Sequence, residues 1–173
     1  PQVMERNFTI RYEEYASSSL LQPEEIRLLD AAIEAADGSY APYSHFNVGA
    51  AVQMENGAVI SSANQENAAY PSGICAERSA LFYAHSKYPD MAIVAIAIAA
   101  KCNGKVTQTP TYPCGACRQV LQESQLRGGK NIKIIIGSAT KVQVLDSVSR
   151  LLPFAFDNLP QEAAGPESEN KKG

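Results

Sequence analysis

The sequence predicts an α/β domain, a sheet layered with helices, and three observations carry that prediction. Helical-period segments alternate with β-type runs along the chain. Two of the runs, "MAIVAIAIAA" and "IKIIIG", are almost wholly apolar, as strands covered on both faces are. A helical segment lies between those two runs, and helices alternating with strands in this way argue for a parallel pair joined through a crossover helix. With 173 residues, 45% of them hydrophobic, the chain can build one compact domain with a substantial core.

Pro23 followed by "EEIRLLDAAIEAAD" opens the first helix, with Ile26, Leu29, Ile33 and Ala36 at helical spacing and Gly38 as its stop. "SYAPYSHF" is a loop punctuated by Pro42. "NVGAAVQM" and "AVISSAN" then flank Asn56-Gly57, a strong hairpin signal. A second helix is expected from about Cys75 to Lys87, a stretch free of Gly and Pro in which Ala80, Leu81 and Ala84 recur at helical spacing. After the first apolar strand, "CNGKVTQTPTYP" reads as a loop. A third helix follows from Gly115 to Gln125, ending before Gly128-Gly129. "IKIIIG", a weaker strand "KVQVLD" and a short helix "SVSRLL" stopped at Pro153 complete the order. Residues 1–22 are an N-terminal extension of mixed polarity, 23–158 the folded domain, and 159–173 a polar tail expected to be mobile.

Charge and composition exclude several classes of function. The net charge is −3 with no basic run, so the electrostatic footprint of a nucleic-acid partner is missing. No apolar stretch reaches the roughly 20 residues of a membrane span, and the N-terminus lacks a signal-peptide pattern. A soluble, cytoplasmic protein is expected. Four cysteines, at 75, 102, 114 and 117, are too few for a disulfide scaffold in a chain of this size.

Three of the cysteines stand at helix starts. Cys75 opens the second helix in "GICAERSA", and Cys114 and Cys117 form a C-x-x-C at the start of the third in "YPCGACRQ". Helix N-termini present positive dipole ends and free backbone N–H groups, which favour thiolates. Three thiolates make three-quarters of a tetrahedral zinc shell, and an open fourth position is the mark of a catalytic rather than a structural site. His45 and His85 lie outside ligand spacing, and Cys102 reads as an inert thiol. Glu77, in the first turn after Cys75, stands where a carboxylate can exchange protons with a water whose pKa zinc lowers toward roughly 7. Each element alone has a bland reading, since a lone C-x-x-C is often a redox pair and a lone buried Cys a small hydrophobe. Jointly they are far more specific.

Cys75-Ala76-Glu77 followed by Pro113-Cys114-Gly115-Ala116-Cys117 resembles the zinc-dependent deaminase signature in its three-cysteine form. "YAPYSHFNVGAAV", "NQENAAYPSGICAERSA", "YPCGACRQVL" and "LLPFAF" resemble, in the same order, segments of the small homotetrameric cytidine deaminases that act on free nucleosides. The resemblance covers about residues 24–156. It implies a three-layer α-β-α fold of the cytidine-deaminase type with a mixed sheet of about five strands. It implies one zinc ion held by Cys75, Cys114 and Cys117, with Glu77 as catalytic proton carrier. Asn64 and Glu66 would bind the ribose hydroxyls, Phe46 would lie against the pyrimidine, and the backbone at Ala76 would hold the base carbonyl. Tyr70 and Phe156 would belong to a site completed by neighbouring subunits, and Arg78 would offset the charge of the thiolates. The implied function is hydrolytic deamination of cytidine and 2′-deoxycytidine in pyrimidine salvage, with a nucleoside as the partner and neither nucleic acid nor membrane. The rivals are a deaminase of a modified, blasticidin-type aminopyrimidine nucleoside and a non-catalytic zinc-stabilised binding module. Arg118 is given no catalytic role, and His45 helps shape the loop before Phe46.

Overall fold

The structure, a computed structural model, describes residues 2–159. Except for Leu159, the tail expected to be mobile lies outside the described residues. The strands are β1 Glu13–Tyr15, β2 Phe46–Met54, β3 Val59–Ala63, β4 Ile93–Cys102, β5 Lys105–Val106, β6 Lys133–Gly137 and β7 Val142–Leu145. The helices are α1 Pro23–Ala35, α2 Ala76–Lys87 and α3 Gly115–Gly128. The strands form one mixed sheet in the order β1-β7-β6-β4-β2-β3, with β5 paired to β4. β4 and β6 are parallel, Ile96 opposite Ile134 and Ile98 opposite Ile136, and α3 is their crossover. The other pairings are antiparallel.

Among the described residues the sheet has seven strands rather than about five. The additions are β1, inside the N-terminal extension, and the two-residue β5, which turns the start of the expected "CNGKVTQTPTYP" loop into a hairpin through Gly104. α3 runs on to Gly128 and is closed by Gly129 in the left-handed conformation. The expected C-terminal helix is a single 3₁₀ turn, Val148–Arg150.

Strand alternation decides which layer each residue joins. Ile96, Ile98, Ile134 and Ile136 point toward α2 and α3, packing with Ala80, Leu81, Ala84 and Leu121. Ala95, Ala97, Ala99 and Ile135 point the other way, against Leu28, Leu29 and Ala32 of α1. The row of alanines lets α1 lie close to the sheet. Closest of all is Gly49 of β2, where an added Cβ would stand 1.9 Å from the Ala32 carbonyl oxygen and 2.6 Å from the Ala36 nitrogen. The Gly49→Ala variant is therefore expected to lose at least about 3 kcal/mol, because a backbone collision cannot be relieved by rotating a side chain. Urea unfolding measures it, and an unchanged midpoint would show that α1 can shift freely.

α1 starts at Pro23 with Gln22 and Glu25 forming a reciprocal capping box. α2 leads into β4 and α3 leaves the far end of β4 by way of the β5 hairpin. The two helices therefore begin over the same edge of the sheet, where the C-terminal end of β4 lies.

Candidate active site

The residues at the two helix starts use their side chains in an unusual way. Cys75 is the N-cap of α2 and Cys114 the N-cap of α3, yet neither side chain accepts a capping hydrogen bond from its own helix. Instead the sulfurs face one another, with Cys75 Sγ 3.9 Å from Cys114 Sγ and Cys114 Sγ 3.5 Å from that of Cys117. Cys117, on the first turn of α3, is fully buried. Zinc bound by thiolates at about 2.3 Å in tetrahedral geometry sets its sulfurs about 3.8 Å apart, so the three thiols already have the spacing of a zinc shell. Among the described residues they are the group of His, Cys, Asp and Glu side chains that could hold a metal ion, and no fourth such donor joins them.

Charge at the cluster is arranged to match. The Cys75 thiol is pulled down to about 5, chiefly by the Cys117 thiol donating to it and next by the Arg78 guanidinium, against the effect of its own burial. Arg78 Nη2 stands 3.5 Å from Cys75 Sγ. Glu77 is 4% exposed. Burial pushes its carboxyl up to about 7, with the negative charge of Cys75 adding to the shift while its own backbone amide and the Cys117 thiol oppose it. A carboxyl poised near neutrality can both take and return a proton at working pH.

A cavity of about 530 Å³ opens beside the cluster, with Cys75, Arg78, Asn64, Glu66 and Tyr70 in its walls. The chain around Gln65 is held there by backbone bridges to Tyr40 on one side and Ile74 on the other. Glu66 is fixed by the loop before β2. Its Oε2 accepts from the backbone amides of Tyr43 at 2.9 Å and Ser44 at 3.3 Å, and its Oε1 accepts from the Ser44 hydroxyl. Those donors, led by the Ser44 hydroxyl, keep its carboxyl below the ordinary value. The Asn64 side chain accepts from Val48 N at 2.8 Å and donates to Phe46 O at 3.0 Å, joining the start of β2.

The remaining residues singled out in the sequence are placed less closely together. Ala76 is fully buried at the first position of α2. Phe46 is half-buried at the start of β2, its amide bonded to Ser44 Oγ. Neither Phe46 nor Phe156 is in the cavity wall, and Phe156 is 67% exposed. Tyr70 is 79% exposed and meets Tyr43 edge to face. Cys102 is an exposed free thiol, and Arg118 donates to the carbonyls of Pro113 and Leu151. His85 bonds Ser124, while His45 takes a left-handed backbone before Phe46.

Sequence reasoning passed over Tyr43, Ser44, Gln65 and Asn67, which also line the cavity. Ser44 joins Glu66 from a loop 22 residues away, a contact with no local periodicity to announce it. The one available signal was that a polar loop rich in hydroxyls precedes the first core strand.

Residues 23–129 match the family described as the cytidine and deoxycytidylate deaminase zinc-binding region. A cytidine deaminase of Halalkalibacterium halodurans is 45% identical over 129 residues, 75% of this chain and 91% of its own length. Among solved structures, a cytidine deaminase from Burkholderia pseudomallei matches with a TM-score of 0.65 at 39% identity, covering 75% of this chain and 97% of that one. The cytidine deaminase of Mycobacterium tuberculosis matches with a TM-score of 0.60 at 33% identity, covering 76% of this chain and 96% of that one.

Proposed function

The chain belongs to the cytidine and deoxycytidylate deaminase family, and from that premise we propose that it hydrolyses the exocyclic amine of free cytidine and 2′-deoxycytidine, releasing ammonia and the uridine product. The observation that carries this reading is the meeting of two cysteine-capped helix starts beside a buried carboxyl, with no fourth donor among the described residues to close the shell. Cys75, Cys114 and Cys117 would hold one zinc ion, which supplies Lewis acidity and a nucleophile at neutral pH when bound. Glu77 would take one proton of the attacking water and deliver it to the ring nitrogen N3, then take the second proton from the hydroxyl newly bonded to C4 and hand it to the amine as the C4–N bond breaks and the C4 carbonyl forms. Three thiolates overbalance a dication by one charge, and the Arg78 guanidinium against Cys75 offsets that excess.

Asn64 and Glu66 bind the ribose hydroxyls, which positions the base for attack. Phe46 and the Ala76 backbone meet the pyrimidine. Tyr70 and Phe156 act at a site shared between subunits of a homotetramer, and the exposed rings of Phe82 and Tyr83, at 51% and 56%, are further surface for such an assembly. Sedimentation tests the tetramer, and an active monomer would remove Tyr70 and Phe156 from the site. All four cysteines are free thiols, in keeping with a cytoplasmic location. Among the described residues no helix is long and apolar enough to cross a membrane.

Ammonia release from cytidine, measured with and without a chelator beside a metal count per chain, tests the whole reading. Activity that survives removal of all metal would overturn it. The Ser44→Ala variant probes the sugar end. Glu66 loses its hydroxyl donor there, so KM for cytidine is expected to rise several-fold with kcat little changed. A 3′-deoxynucleoside, having lost the hydroxyl that Glu66 would bind, should be much less sensitive to the substitution. Equal losses on both substrates would show that Ser44 supports the fold instead.

A further inference from the structure

The stretch leading into β1 has the alternation of a strand but no strand partner among the described residues, although Ile10, Arg11 and Tyr12 line a cavity with Gln22, Glu25 and Lys133. Met4, Phe8, Ile10 and Tyr12 occupy even positions and Glu5, Asn7, Thr9, Arg11 and Glu13 odd ones, the period-two pattern of a half-buried strand. Arg6 is the exception on the apolar side. Met4 is 71% exposed, Phe8 55%, Ile10 47% and Tyr12 55%. Among the described residues, no backbone hydrogen bond outside the β1–β7 pairing ties this segment to the rest of the chain. It runs into β1, which is the end of the sheet and, among the described residues, has a free edge of its own.

We propose that this arm pairs with the same arm of a second copy of the chain, antiparallel and centred on Phe8. A two-fold axis there sets Phe8 opposite Phe8, Met4 opposite Tyr12, Asn7 opposite Thr9 and Glu5 opposite Arg11. Opposed residues share a face, so the apolar side chains gather on one side of the ribbon, together with the two copies of Arg6, each opposite an Ile10. Glu5 and Arg11 are not in any ion pair within the chain among the described residues, and in this register the Glu5–Arg11 pair forms twice by symmetry.

Neighbouring registers fit less well. Centring on Thr9 opposes Glu5 to Glu13, and centring on Asn7 sets Glu5 against Thr9 and Arg11 against Val3, with no charge pair. Centring on Ile10 would use Glu14 to meet Arg6, but Glu14 is already bonded to Gln143 at 2.8 Å and paired with Lys141 at 3.5 Å. A two-stranded ribbon alone is marginal. This one is continuous at each end with a β1 already anchored in a seven-stranded sheet. The arm precedes the family match at residues 23–129, and the inference does not depend on the reaction.

Disulfide trapping in the zinc-loaded full chain tests it, in a Cys102→Ser background that removes the exposed native thiol. Directly opposed residues of an antiparallel pair have the Cα separation a disulfide needs. Phe8→Cys should therefore give covalent chain dimers on mild oxidation, well above the parent. Ile10→Cys should not, because its copy lies about 13 Å away along the ribbon. Adding Glu5→Arg to Phe8→Cys should lower the dimer yield several-fold, and adding Arg11→Glu as well should restore it. Equal yields at the two positions, no dimer at either, or indifference to the charge reversals would overturn the proposal, the arm then lying on its own chain, on another partner or free.

Discussion

The Glu77→Gln variant is expected to keep its zinc and its fold while losing about 10²–10⁴ in kcat, the range that a positioned proton carrier contributes. Glutamine fills the same volume in a site where Glu77 is 4% exposed. It can donate and accept hydrogen bonds, but it cannot take a proton from water and hand it to a departing amine. Stability should not suffer, since a neutral amide replaces a carboxyl that burial already holds near 7. Metal content per chain and ammonia release together decide the matter. Full activity would exclude the assigned role, and loss of the metal would mean that the carboxylate belongs to the shell itself.

Removing a thiol should have the larger and broader effect. Cys117→Ala takes one of the three proposed ligands from a fully buried position on the first turn of α3. Zinc and turnover should be lost together, and Tm should fall to about that of the chelated parent, since metal binding is linked to folding. Each kcal/mol of metal-linked stability corresponds to about 2–4 °C in a domain of this size. Cys114→Ala, at an exposed position, should match it in metal loss while disturbing the packing less. A Cys117→Ala protein that still binds zinc and turns over would remove Cys117 from the shell.

The parts of the fold that announce themselves in the sequence are those stabilised locally. α1 is marked by Pro23 and its capping residues, and the β2–β3 hairpin by Asn56-Gly57, which the structure places between Met54 and Val59. The paired apolar strands are equally clear, because burial on both faces leaves no polar alternation to confuse them. β1 was not legible. Its three residues, Glu-Glu-Tyr, are a strand because β7 lies alongside, and the Gln143 to Glu14 bond there spans 129 residues of chain. The three cysteines and Glu77 were legible because two compact motifs hold them at helix starts. The cavity wall was not, since Tyr43 and Ser44 enter it through hydrogen bonds to a carboxylate more than 20 residues away.

Asn64 has a consequence for how the pocket can respond to different sugars. Its amide is stitched to both Phe46 and Val48, so under the proposed function that wall would share the stiffness of the sheet and would not retreat to admit bulkier riboses. Any accommodation would then come from the lip formed by Tyr43 and Tyr70, whose largely uncovered rings touch only edge to face. Tolerance of altered nucleosides should accordingly be tuned at that lip, with the stitched wall acting as a fixed ruler for the sugar.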